Sequence, residues 1–131
     1  MPKKILYFIL LLALSPANAN QVEILSAEFI HKQQQNWTVK VSLKHNDTGW
    51  QHYANSWRIV DRKTSTVLGE RILHHPHVNE QPFTRQLDVT IPETTTLVYI
   101  EAHDTEHGWS TDTLEIDLSK ASNGKLKQLS R

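Results

Sequence analysis

The chain has 131 residues, no cysteine, and fourteen basic residues balanced by fourteen acidic ones. The even charge excludes the electrostatic footprint of a nucleic-acid binder or of a protein held to an anionic membrane surface. The missing cysteine excludes disulfides, thiolate ligands, a thiol nucleophile and lipidation at an N-terminal cysteine.

Residues 1–19 have the three parts of a secretory signal peptide: basic Lys3 and Lys4, an apolar run from Ile5 to Leu14, and small residues Ala17-Asn18-Ala19 before Asn20. The run is half of the roughly twenty residues a spanning helix needs, so the sequence predicts cleavage after Ala19 and no membrane anchor afterwards. The remaining chain holds twelve basic and fourteen acidic residues, a net charge of −2 with neutral histidines. A short leader of bacterial type and no disulfides point to the periplasm. Secretion from another kind of cell stays open, because Asn36-Trp-Thr38 and Asn46-Asp-Thr48 match the glycosylation acceptor pattern.

Residues 20–119 read as one all-β domain, with short alternating apolar stretches separated by turn-forming clusters. Seven strands are predicted: Val22–Lys32, Trp37–His45, Ser56–Arg62, Thr66–Leu73, Pro82–Ile91, Leu97–His103 and Ser110–Leu118. The second is the clearest, with Trp37, Val39, Val41 and Leu43 on one face and Thr38, Lys40, Ser42 and Lys44 on the other. Seven short antiparallel strands in about a hundred residues are the pattern of an immunoglobulin-like β-sandwich. Residues 120–131, rich in Lys, Ser, Gln and Gly, are expected to be a flexible tail.

Antiparallel strands send successive connections to alternate ends of a sandwich, so loop order predicts which loops share an end. The second, fourth and sixth connections (Asn46 to Asn55, His74 to Gln81, Asp104 to Trp109) fall together. Seven of the eight histidines, all but His31, lie in or beside them. Neutral imidazole is the commonest ligand for borderline transition metals, and a closed site takes three or four donors from separate segments.

The candidate metal ligands are therefore His45, His52, His75, His77, His103 and His107. His74 ranks below them, because adjacent strand side chains point to opposite faces. Asp47, Glu80, Asp104 and Glu106 stand in the same loops, as ligands or as acceptors that orient ligating histidines. The strand parity of Val98, Ile100 and Ala102 places His103 opposite the buried face, so only a bend at the strand end would bring it in. Trp50, Tyr53, Trp57 and Trp109 read as packing.

The blocks His45-Asn-Asp-Thr-Gly-Trp-Gln-His-Tyr53, His74-His-Pro-His-Val-Asn-Glu-Gln-Pro-Phe-Thr-Arg85 and Glu101-Ala-His-Asp-Thr-Glu-His-Gly-Trp109 resemble those of small exported histidine-rich bacterial proteins. That resemblance implies export and no particular function. More locally, His75-Pro76 and Glu106-His107-Gly108-Trp109 resemble the iron-site loops of superoxide reductases, which are immunoglobulin-like. The chain lacks the cysteine that ligates iron in that family, so the resemblance implies only a similar setting for histidines.

Three functions follow from this pattern. The first is a periplasmic module that carries, buffers or delivers copper or zinc, with iron as a further metal, to a periplasmic or membrane protein. Nitrogen and oxygen donors without sulfur favour Cu(II) or Zn(II) over Cu(I). The second is a metalloenzyme with an open coordination position. The third is an interaction module whose histidines respond to pH.

Overall fold

The computed structural model describes residues 21–131, so the expected signal segment lies outside the described residues. Among the described residues no helix is long and apolar enough to cross a membrane. The described residues form nine strands: β1 (Glu23–Gln33), β2 (Asn36–Lys44), β3 (Ala54–Asp61), β4 (Val67–Ile72), β5 (Phe83–Thr90), β6 (Leu97–Asp104), β7 (Gly108–Trp109), β8 (Leu114–Asp117) and β9 (Lys125–Leu129).

They make two antiparallel sheets. One has the order β5-β2-β1-β9; in the other, β4-β3-β6 is completed by β7 and β8, which both pair with β6. The seven expected strands all occur, with bounds shifted by a few residues. The last is shortened to β8, because residues 110–113 lie outside the ladder, and β7 falls within the expected sixth connection.

The expected flexible tail contains an ordered strand instead. β9 pairs with β1 from Ile30↔Lys125 to Ser26↔Leu129. Its inward positions are Leu126 and Gln128, a strand pattern hidden by polar composition, and Leu126 packs against the core. The turn that returns the chain, at Asn123 (φ 54°) and Gly124 (φ 74°), uses left-handed backbone that these two residue types tolerate.

The core lies between the sheets. From β2 it takes Val39, Val41 and Leu43, from β3 Trp57 and Ile59, and from β6 Val98, Ile100 and Ala102. Strand alternation explains this selection, since every second residue of a half-buried strand faces inward. Where β4 approaches β5 the gap is closed by a glycine. A Cβ on Gly69 would come to 3.0 Å from both Leu87 and Val89.

The connections β2–β3 (residues 45–53) and β4–β5 (73–82) both pass between sheets, while residues 105–107 make a tight turn between β6 and β7. All three converge on one end. The opposite end holds the Asp61 turn, whose carboxylate accepts Thr95 Oγ1 at 2.8 Å and the Lys63 amide at 2.9 Å. His31 also lies there, exposed on the β1–β2 hairpin with its ring 4.8 Å from that of Trp37.

Candidate metal centre

The inward alternation of two central strands continues past their last core residue. In β2 the inward positions run Val39, Val41, Leu43, and the same parity carries on to His45 and Asp47, both buried. In β6 they run Val98, Ile100, Ala102 and then Asp104, which is fully buried. The sheets thus deliver an imidazole and a carboxylate to the top of the core.

His52 arrives by a turn. Its carbonyl accepts the Thr48 amide at 3.0 Å, and its amide donates to Gly49 O at 3.2 Å. This turn is laced to the β6–β7 turn, because the Thr105 amide donates to Tyr53 O at 3.1 Å and Thr105 Oγ1 donates to Gln51 O at 3.0 Å.

His45, His52 and Asp104 each offer a ligand atom, and the three atoms lie within 4.8 Å of one another. The rings of His45 and His52 are 4.8 Å apart, and those of His52 and His107 are 5.1 Å apart. Each group is held from behind. Asp47 Oδ1 stands 2.5 Å from His45 Nδ1, so a proton on Nδ1 leaves the lone pair on Nε2. Glu106 Oε2 stands 3.3 Å from His52 Nδ1. Asp104 Oδ1 accepts the Glu106 amide at 2.9 Å and the His107 amide at 2.7 Å.

Two forward atoms, one on His52 and one on Asp104, are left over. His52 Nε2 and Asp104 Oδ2 are buried with no hydrogen-bond partner. A buried unsatisfied polar atom costs about 1–3 kcal/mol, more for a charged group, so two side by side call for a ligand that satisfies both. A divalent cation of borderline softness does so, and imidazoles backed by carboxylates are its usual setting.

Asp47 ties the β4–β5 connection to this cluster. Its Oδ1 also accepts the Ala54 amide at 2.9 Å, and its Oδ2 accepts the His77 amide at 2.8 Å. Burial raises the carboxyl, but hydrogen bonds from His45 and the two amides outweigh it, and the pKa lies below its ordinary value. Gln81 adds a second tie, accepting the His45 amide at 3.0 Å and donating to His77 O at 2.9 Å.

The remaining histidines are placed otherwise. His77 is buried and stacked on Phe83, with ring centroids 4.0 Å apart, and Arg85 Nη2 donates to its Nε2 at 2.9 Å. Burial first, then the Arg85 charge, lowers its pKa. His75 is exposed, with its ring 4.6 Å from that of His77, and His74 is exposed beside it. His103 points to the outer face of its sheet, its Nδ1 2.6 Å from Asn55 Oδ1 and its ring edge-on to Trp109. Parity overrides the loop-end argument at that residue, and no bend brings it in.

His45, His52 and His107 are therefore brought together with Asp104, whereas His75, His77 and His103 are not part of that group. Loop chemistry singled out Asp104 only as one of four carboxylates. Its parity with Ile100 and Ala102 was the signal that would have ranked it first. The link from Gln81 to His45 continues the β2–β5 register past Leu43↔Phe83, so it could be read only once those two strands were known to be neighbours.

Fold and site together define a β-sandwich protein with a buried histidine–aspartate cluster at one end, a donor set suited to a metal ion. The chain is similar to a protein of the archaeon Halomicrobium mukohataei named "Putative lipoprotein", with 34% identity over 88 residues. Those residues are 67% of this chain and 43% of that protein, so the chain spans less than half of the relative's length. No family model matches the chain, and no solved structure matches it.

Proposed function

We propose that this is an exported metal-binding protein that carries, buffers or delivers copper or zinc through the cluster of His45, His52 and Asp104. The observation that carries the reading is the pair of buried, unpartnered atoms, His52 Nε2 and Asp104 Oδ2, beside an imidazole fixed by Asp47. Two imidazoles and a carboxylate favour Zn(II) or Cu(II) over Cu(I), with iron a weaker choice in the absence of thiolate. Export is supported by the basic-apolar-small leader at residues 1–19 and by the relative's name. The periplasm is the proposed compartment, and a periplasmic or membrane protein the proposed receiver of the metal. An immunoglobulin-like reading of the sandwich is supported by the sheet containing β1, β2 and β5 facing the one containing β3, β4 and β6.

The test is a titration of the purified, metal-stripped protein with zinc and with copper(II). One equivalent is expected to bind tightly. His45→Ala and Asp104→Ala should each lower affinity at least about 100-fold, since a chelate loses a third of its donors. His103→Ala and His31→Ala should leave it unchanged. Equal weak binding in all five proteins would sink the reading and favour scattered surface histidines.

A further inference from the structure

We infer that His107 is the fourth ligand of this site, bound through Nδ1, and that Glu106 is the positioning residue behind both outer imidazoles. The inference rests on the proposed metal site and deepens it from three donors to a closed set of three imidazoles and one carboxylate. In a tetrahedral site with metal–ligand bonds of about 2.0–2.1 Å, the donor atoms lie about 3.3 Å apart. His52 Nε2 is 3.5 Å from Asp104 Oδ1, and His107 Nδ1 is 3.1 Å from the same atom. Both imidazoles thus stand against the Asp104 carboxylate within about the span of a tetrahedral edge, His107 through a hydrogen bond whose proton a metal would replace.

The two imidazoles also present opposite nitrogens in a consistent way. His52 turns Nε2 to Asp104, with its Nδ1 3.3 Å from Glu106 Oε2. His107 turns Nδ1 to Asp104, with its Nε2 3.9 Å from Glu106 Oε1. One exposed carboxylate thus stands at the far nitrogen of two rings, as Asp47 stands at that of His45. Every imidazole of the group has one nitrogen facing the site and one facing a carboxylate, the arrangement that fixes tautomer and ring orientation in histidine-bound metals.

The turn is built to hold this pose. Gly108 has φ 78°, a left-handed conformation that an L side chain adopts only with strain, and it reverses the chain right after His107. The His107 side chain is 32% exposed, against 16% for His52 and 1% for His45. His107 is therefore the ligand at the mouth. A site closed by four protein donors suits holding and handing over a metal better than hydrolytic catalysis, which keeps a position for water.

The experiment is zinc X-ray absorption with a competition measurement of zinc affinity, on the wild-type protein, His107→Ala and Glu106→Gln. The expected result is three imidazoles in the wild type and two in His107→Ala, with affinity at least about 100-fold lower. Glu106→Gln should keep three imidazoles and lose about 10–100-fold in affinity. His107→Ala gives up the ring's own hydrogen bond to Asp104 but keeps the Glu106 and His107 main-chain amides that close the turn on it. The wild-type imidazole count also decides the matter without any variant. Two imidazoles in the wild type, with unchanged affinity in His107→Ala, would overturn the role of His107 and leave the three-donor site standing. No stoichiometric zinc in the wild type would overturn the site itself.

Discussion

At the scale of single residues, Asp47 and His77 show how protonation is divided at this end. His77 faces Arg85 on one ring edge and Asp47 on the other, at 4.0 Å, with His75 and Glu80 also nearby. Its pKa is lowered by burial and by the Arg85 charge. The unfolded chain therefore takes up a proton near the ordinary value of about 6.5 while the folded chain does not, so acidification through that value favours unfolding. Asp47, held below the ordinary carboxyl value, contributes stability that is present above that value and is lost as pH falls through its folded value. Urea unfolding of the metal-free protein between pH 7.5 and 5 should show stability falling with pH below about 6.5. His77→Gln should flatten that slope even where it lowers stability overall. An unchanged slope would show that His77 titrates normally in the fold.

At the scale of elements, the two strands that make the core also make the site. β2 and β6 are long enough for their inward rows to pass the last apolar layer, and the next inward positions are His45, Asp47 and Asp104. Their burial follows from the same pleat that buries Leu43 and Ala102. His103, one residue from Asp104, is carried outward by that pleat, because a shift of one residue exchanges faces. The elements must also close on each other at the sides, and β4 meets β5 only because Gly69 has no side chain there. Gly69→Val should overpack this contact with Leu87 and Val89 and cost about 1–3 kcal/mol in chemical denaturation. Metal affinity should stay the same, since the contact is far along the strands from the cluster.

At the scale of the whole molecule, the alternation of connections gathers 45–53, 73–82 and 105–107 at one end. The other elements hold the frame that makes such convergence rigid. β9 belongs to that frame: it satisfies one edge of β1 along five residue pairs and lays Leu126 on the core. Removing residues 122–131 should expose that edge and lower Tm by about 4–8 °C for each kcal/mol of stability lost in a domain of this size. The loss should be at least 1 kcal/mol on the order of a strand's packing, and zinc affinity should be retained. A truncated protein with unchanged Tm would restore the view of this segment as a loose tail.

Much of this architecture was legible in local pattern. Period-two alternation marked seven strands, and loop order put the histidine-rich connections together, because both depend only on the pleat and on antiparallel succession. β9 was missed because its inward row is Leu126 and Gln128, with a single apolar residue to mark it. It is a strand only because β1 has an open edge to receive it.

The sequence by itself determined the all-β class, the donor chemistry without sulfur, and which loops share an end. The tertiary structure alone decided which donors meet. His45 and His52 stand near the two ends of the β2–β3 connection, and Asp104 ends β6. Whether an imidazole faces the cluster, as at His52 and His107, or is taken by a neighbour, as His77 is by Arg85 and His103 by Asn55, depends on partners distant in the chain.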